Sequence, residues 1–239
     1  MTNKKIIDKR IILFFCIALV LRFLLMPIAS HSDIILINVF PNLLLKYGII
    51  DIYSYVNKNV KLPGFQYYSP ITYYSFAFFQ FLYQLITPSF SDWMNNLLNP
   101  VSNNIFPKDY QYFTQVHNPH IFKDLFLAKT PYLLFDVASV FVLIKFVKAQ
   151  ILSKGAILVW VFNPILIYST YVFGQYDVIP SFFILLGFYF LRKNPVFGVF
   201  WLGIAMAYKT YPILCIIPPQ IPRSIGSLFL FLKHNQGGI

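Results

Sequence analysis

One candidate for proton transfer in this 239-residue chain is Asp33, which follows the first long apolar run. A carboxylate held beside a substrate can act as a general base and take the proton of an attacking hydroxyl group. The alternative is a structural role, since Ser and Asp are also common at the first positions of helices. The sequence leaves both interpretations of Asp33 open.

A second group of polar residues lies farther along the chain, in the turn at 173–177 and at Lys209. The turn is either an ordinary exposed loop or one wall of a site. Lys209 lies within an apolar run, where a cation is costly and usually faces a cavity or a partner. It is therefore a candidate ligand for a phosphate or a counter-ion for Asp177, and a purely structural ion pair is the alternative. Arg22 is a similar candidate, although its side chain can also extend to the membrane surface.

Other reactive chemistries find little support. His117 and His120 are separated by Pro119, and no third ligand follows at a regular spacing, so we predict no metal site. Cys16 and Cys215 both lie in apolar runs and are interpreted as small core residues rather than a disulfide. The chain has no phosphate-binding glycine loop, nucleophile elbow or zinc-protease motif.

The composition of the chain indicates the surroundings in which these polar residues lie. Hydrophobic residues make up 58% of the chain and charged residues 11%, against roughly 45–50% and about 25% in soluble domains. This excess of apolar surface indicates a membrane protein. The net charge is +11, but many basic residues separate apolar runs, as membrane topology signals do. A nucleic-acid partner is therefore not predicted.

The apolar runs predict an all-α, multi-span membrane protein with about five spans. The predicted spans cover residues 11–28, 129–147, 156–173, 178–191 and 195–217. A shorter run at 71–86, bounded by two prolines, predicts a juxtamembrane or re-entrant helix on the outer side.

The basic clusters also predict which turns share a face of the membrane. Lys145, Lys148 and Lys154 form one cluster, and Arg192 and Lys193 form another. If both clusters are cytoplasmic, like the basic N-terminus, then Asp33 and the turn at 173–177 lie together on the outer face. Residues 29–127 then form an extracytoplasmic region within a single membrane domain that covers residues 1–239.

Several segments also occur in an order known from a group of membrane enzymes. They are His31-Ser32-Asp33, Tyr67-Tyr68-Ser69-Pro70-Ile71-Thr72-Tyr73-Tyr74, the Lys129–Asp136 stretch, Gly174-Gln175-Tyr176-Asp177 and Lys209-Thr210-Tyr211-Pro212. In these segments the chain resembles GT-C-type glycosyltransferases, similar to the glucosyltransferases of the asparagine-linked glycan pathway and to prokaryotic mannosyltransferase-like proteins. Ser69 and Asp177 depart from the family pattern, which has Pro and Asn there. Family members usually continue through more spans, so the resemblance implies the N-terminal part of a longer GT-C module.

The resemblance implies an inverting transfer of a hexose from a polyprenyl-phosphate donor to a lipid-linked glycan or protein acceptor on the extracytoplasmic face. No cofactor is implied, because the donor arrives already activated on its lipid. The implied site residues are Asp33 as general base, Lys209 and Arg22 at the phosphate, and Gln175, Tyr176, Asp177 and Tyr211 at the sugar or acceptor.

Two rival functions use the same features differently. A transporter or lipid-translocating protein also places charges inside spans, but such folds commonly carry an internal repeat, which this sequence does not show. A non-catalytic, truncated remnant is the other alternative. In each case the predicted location is a membrane, crossed several times: the cell membrane in a prokaryote or the endoplasmic reticulum membrane in a eukaryote.

Overall fold

The structure is a computed structural model that describes residues 9–28, 31–59, 68–102, 118–149 and 152–215. Tyr67 and His117, which the sequence analysis singled out, lie outside the described residues. The last two residues of the predicted span at 195–217 do so as well.

Every regular element in these described ranges is helical, which confirms the all-α prediction there. In chain order the α-helices are α1 (Lys9–Leu25), α2 (Ser32–Tyr47), α3 (Ile52–Asn59), α4 (Pro70–Ile86), α5 (Pro88–Ser102), α6 (Ile121–Ala128), α7 (Thr130–Lys148), α8 (Gly155–Val161), α9 (Pro164–Ile167), α10 (Val178–Leu191) and α11 (Pro195–Tyr208). A π-helical turn (Tyr168–Val172) follows α9, and a 3₁₀ turn (Tyr211–Cys215) follows α11.

Two stretches of the described chain are long and apolar enough to cross a membrane. They are Ile121–Lys148, which joins α6 and α7, and Gly155–Val172, which joins α8, α9 and the π-helical turn. Helices α10 and α11 are apolar but shorter. The count of about five spans stays a prediction.

Two of the predicted spans differ from the helices that the structure shows. The span at 156–173 is not one straight helix, because Pro164 begins a new helix whose first amides are capped by the Asn163 side chain. The span at 195–217 ends as an α-helix at Tyr208, so Lys209 follows the helix rather than lying inside it. An extended backbone at Lys209 ends the helical path.

In the described part of the chain, the helices pack around two hydrophobic cores. Helices α2, α4 and α5 pack on one another, and their apolar faces form the larger hydrophobic core together with residues of α3, α6 and α7. Helix α10 packs on α7 and α11. Helix α1 packs on α8 and forms a smaller core with α7 and α8 around Ala18 and Val140.

Helix α1 buries only a narrow stripe of its surface. Ile11, Ala18 and Arg22 are buried at helical spacing, whereas many of its other large apolar side chains are exposed, among them Ile12, Leu13, Ile17, Val20 and Leu24. Exposed apolar side chains around most of a helix are expected where lipid, rather than water, surrounds it.

Helices α10 and α11 approach each other closely at two glycines. A Cβ atom on Gly187 would lie 2.7 Å from Cγ of Leu202, and one on Gly198 would lie 2.7 Å from the Cα of Leu191. No larger side chain fits at such distances without moving the helices. Small residues allow this kind of close helix packing in membranes.

The region at 29–127, predicted to hold one helix, contains several. Helix α2 was missed because Pro41 and two asparagines interrupt its apolar pattern, yet those asparagines join helices together. Nε2 of Gln80 donates to the carbonyl of Asn38 at 2.5 Å, and Nδ2 of Asn42 donates to Oδ1 of Asn95 at 2.8 Å. The buried amides are therefore hydrogen-bonded contacts between α2, α4 and α5.

Candidate active site

Asp33 lies in the first turn of α2 but does not cap it. The capping position belongs to His31, whose Nδ1 accepts a hydrogen bond of 3.3 Å from the backbone amide of Asp33. The imidazole also stacks on Phe173, with ring centroids 3.6 Å apart. The Asp33 side chain is 29% exposed, so its carboxylate is both accessible and held at a fixed helix end.

The turn after the π-helical segment reaches Asp33 through a glycine. Gly174 has a φ of +82°, which L-residues with a side chain rarely adopt, and a Cβ there would lie 3.0 Å from the Cβ of Ile34. This close approach brings Gln175 beside α2, where its Nε2 donates to Oδ2 of Asp33 at 3.5 Å. The two segments that the sequence analysis placed on one face therefore do meet.

Two buried side chains hold this turn in place by hydrogen bonds to its backbone carbonyls. The ammonium of Lys129 donates to the carbonyl of Tyr171 at 2.6 Å, and the hydroxyl of Tyr132 donates to the carbonyl of Gly174 at 3.0 Å. Both donors lie at the start of α7 and are fully buried. The turn is thus fixed to α7 as well as to α2.

Lys209 and Asp177 form an ion pair at the ends of α11 and α10. Nζ of Lys209 lies 2.5 Å from Oδ1 of Asp177, and the side chains are 29% and 34% exposed. The ammonium also lies 4.8 Å from the ring centroid of Tyr176, a distance at which a cation and an aromatic face attract each other.

These segments enclose a cavity of about 570 Å³. Five of the seven residues predicted from the sequence line it: Asp33, Gln175, Tyr176, Lys209 and Tyr211. Asp177 contributes through its ion pair with Lys209. The volume lies in the range of small-molecule sites, which is about 300–1,000 Å³.

The cavity has aromatic walls that can still donate hydrogen bonds. Besides Tyr176 and Tyr211, it is lined by Tyr53, Tyr68 and Tyr208. Burial raises the pKa of Tyr68, and the Asp33 carboxylate raises it further. Burial likewise raises the pKa of Tyr176. Both hydroxyls are therefore protonated at neutral pH, so the walls offer flat apolar rings together with neutral O–H donors.

Arg22, the seventh predicted residue, is not among the residues that line the cavity. Its Nε donates to Oδ2 of Asp136 at 2.6 Å, and the two side chains are only 3% and 2% exposed. The same carboxylate accepts hydrogen bonds from the hydroxyl of Tyr171 at 2.8 Å and from Nε1 of Trp160 at 2.7 Å. The structure thus places Arg22 in a sealed network among α1, α7, α8 and the π-helical turn, and not on the wall of the cavity.

Sequence reasoning also missed residues that the structure brings to the cavity. Tyr68 and Ser69 belong to a motif that carried the resemblance, but that motif alone gave them no role. Tyr208 adjoins Lys209, and its hydroxyl hydrogen-bonds with Ser75 at 2.6 Å. Tyr53 lies on α3 in no recognisable motif, so nothing in the sequence pointed to it.

The chain is 30% identical over 122 residues to GPI mannosyltransferase 1 from the yeast Kluyveromyces lactis, an alignment that covers 49% of this chain and 28% of that relative. No family model matches the chain, and no solved structure does either. Within the ranges that the structure describes, no three His, Cys, Asp or Glu side chains gather as metal ligands would.

Proposed function

We propose that this chain forms the active site of an integral-membrane glycosyltransferase that transfers a hexose from a polyprenyl-phosphate donor. The observation that carries the proposal is the single cavity that joins Asp33, Gln175 and Lys209. These residues come from three separate parts of the chain, and each has the chemistry that one step of the transfer needs. The likeness to a yeast mannosyltransferase supports a glycosyltransferase in general.

Asp33 acts as the general base in this proposal. Its carboxylate faces the cavity, and the Gln175 amide lies 3.5 Å from one of its oxygens. The acceptor hydroxyl gives its proton to Asp33 and attacks the anomeric carbon of the donor sugar. The bond from that carbon to the phosphate oxygen breaks on the opposite side, so the configuration inverts. The phosphate leaves as an anion and needs no proton from a general acid.

Lys209 stabilises the departing phosphate. Among the described residues that line the cavity, it supplies the positive charge, and Asp177 already neutralises part of it. One cation suits the single negative charge of a phosphodiester better than the greater charge of a diphosphate. An ammonium group that is already in place lowers the energy of the transition state, because negative charge develops on the phosphate there.

The tyrosines and Gln175 bind the sugar and orient the acceptor. Tyr68 and Tyr176 lie edge to face, with centroids 5.5 Å apart, next to Asp33 and Lys209. Aromatic faces contact the apolar faces of a sugar ring, while neutral hydroxyls and amides bond to its hydroxyl groups. The name of the yeast relative makes mannose the first sugar to test and a lipid-linked glycan the first acceptor.

The test is Asp33→Asn in the full chain, purified in detergent. Radiolabelled sugar transfer from polyprenyl-phosphate mannose, and separately from the glucose donor, is measured with a lipid extract of the host as acceptor. We expect transfer to fall about 10²–10⁴-fold, the usual contribution of a general base. Donor binding should be nearly unchanged, because Asn keeps the size and the hydrogen-bonding oxygen.

Asp51→Asn is the matched control. Asp51 is exposed, does not line the cavity and caps α3 by accepting from the amide of Ser54 at 3.0 Å. Since Asn caps helices about as well as Asp, this variant should transfer sugar at the normal rate. Full activity of Asp33→Asn would contradict the assignment of the base.

A further inference from the structure

The basic residues at the opposite end of the helices from the cavity converge on one tyrosine. Nζ of Lys145, on α7, lies 5.3 Å from the ring centroid of Tyr189, and Nζ of Lys193, just after α10, lies 4.5 Å from the same centroid. Tyr189 is itself held against α7, where its ring packs edge to face on Phe146 at 5.9 Å. Two helices therefore place two ammonium groups around a fixed aromatic ring.

The charge around this ring is one-sided. Lys148, the last residue of α7, and Arg192, the first residue after α10, are exposed. No carboxylate in the described part of the chain forms an ion pair with Lys145 or Lys193. The carbonyl ends of α7 and α10 favour nearby cations, which explains why lysines are tolerated there. The partial negative charge of these carbonyl ends is too small to neutralise two neighbouring ammonium groups.

We propose that Lys145, Tyr189 and Lys193 form a binding site for the phosphate headgroup of an anionic phospholipid. The site lies at the ends of apolar helices, where lipid headgroups are found if these helices cross the bilayer. Basic clusters between membrane helices are known to bind acidic headgroups. The ring of Tyr189 also suits this depth, because tyrosines concentrate at the boundary between membrane and water. The inference does not rest on the proposed enzyme activity.

The test compares lipids on the unmodified full chain. The purified protein is titrated with phosphatidylglycerol or with phosphatidylcholine in the same detergent, and binding is followed by native mass spectrometry and by the shift in Tm. We expect tighter binding and a higher Tm with phosphatidylglycerol, and a weaker preference at high salt, since salt screens exposed charges. Equal binding of the two lipids would overturn the proposal.

Variants then locate the site. Lys145→Gln and Lys193→Gln should each weaken phosphatidylglycerol binding about fivefold and their combination roughly 25-fold, which matches the usual gain from one lysine at an anionic surface. Lys46→Gln is the matched control, because Lys46 also lies over a tyrosine ring, at 5.5 Å from the ring centroid of Tyr47, and no second lysine of the described ranges lies over that ring. Unchanged binding in the double variant would place the lipid elsewhere and refute the site.

Inorganic phosphate separates the two possible sources of the anion. Millimolar phosphate alone should leave the Tm unchanged and should not displace phosphatidylglycerol, because it lacks the acyl chains that the neighbouring apolar helices contact. If phosphate alone raises the Tm as much as the lipid does, the site binds free phosphate and the lipid proposal is wrong.

Discussion

In the part of the chain that the structure describes, two cation–carboxylate pairs join apolar helices, and they differ in burial and in hydrogen bonding. Arg22 and Asp136 are sealed among helices, with side chains 3% and 2% exposed. Lys209 and Asp177 lie beside the cavity, with side chains 29% and 34% exposed. The Asp136 carboxylate takes two further hydrogen bonds, from Tyr171 and Trp160, whereas the Lys209 ammonium can still be reached from the cavity.

This difference separates a structural charge from one that can serve a substrate. A sealed pair has no room for a substrate, and each of its groups depends on the other and on its buried neighbours for solvation. The pair at the cavity is reached by solvent, so its ammonium can exchange a carboxylate for a phosphate at little cost. The same residue types inside apolar runs therefore have different roles, set by access rather than by charge.

The largest predicted effect is on the sealed pair. Arg22→Met and Asp136→Leu should each lower the free energy of unfolding by about 3–5 kcal/mol, because each leaves one buried charge without its partner. The double variant should recover part of that loss, since two apolar side chains leave no unpaired charge, although the hydroxyl of Tyr171 and Nε1 of Trp160 lose their acceptor. Denaturant unfolding in mixed micelles measures the free energy of unfolding of the three variants.

The same set of two single variants and one double variant, a double-mutant cycle, is then made at Lys209 and Asp177 for comparison. We expect the interaction energy from Lys209→Met and Asp177→Leu to stay below about 1 kcal/mol, as it does for exposed ion pairs. Equal interaction energies in the two cycles would show that the pairs do not differ as described.

The second prediction concerns function at the open pair. Lys209→Met should weaken binding of polyprenyl-phosphate mannose by about 10–100-fold, since a hydrogen bond to a charged group contributes about 1.5–3 kcal/mol. Isothermal titration or the KM for donor measures the change. Lys46→Met, an exposed lysine on α2, should bind the donor normally. An unchanged donor affinity in Lys209→Met would remove the phosphate assignment.

The prediction with the smallest expected effect on the protein concerns topology: which side of the membrane the turn with Gln175 and the basic helix ends face. In a variant without Cys16 and Cys215, a single cysteine at Gln175 should react with a membrane-impermeant maleimide from outside. Cysteines at Lys148 and Arg192 should react only after the membrane is permeabilised. Labelling of the Gln175 position from the cytoplasm would invert the predicted topology. Asn104, which the same topology places outside, lies beyond the described residues but can be labelled in the same way.

The sequence predicted the candidate site better than the scaffold around it. Asp33, Gln175 and Lys209 were identifiable because each is a polar side chain in an apolar setting, where its presence needs a reason. Helix α2 was not identified, because proline and asparagine are typical of loops in a sequence. Here Pro41 lies within the helix, and Asn38 and Asn42 join it to neighbouring helices. Such residues show their role only when the partner helix is known.

Arg22 shows what the linear pattern could have added. Asp136 is the one carboxylate within the predicted span at 129–147, and an intramembrane cation needs an intramembrane partner. Pairing these two residues was possible from the sequence. The hydrogen bonds from Trp160 and Tyr171 were not, since they depend on the break at Asn163 and the π-helical turn that follow in the next segment.

The close pairing of α10 and α11 has a consequence for the surrounding bilayer. Each helix has 14 residues and is therefore about 21 Å long, while the hydrocarbon core is about 30 Å thick. If both helices cross the bilayer, the glycine contacts that hold them together make them meet this hydrophobic mismatch as one unit, and we then expect the bilayer to thin beside them. Headgroups of the outer leaflet would then descend toward Lys209. A lipid-linked phosphate could reach the cavity without its isoprenoid chain leaving the membrane.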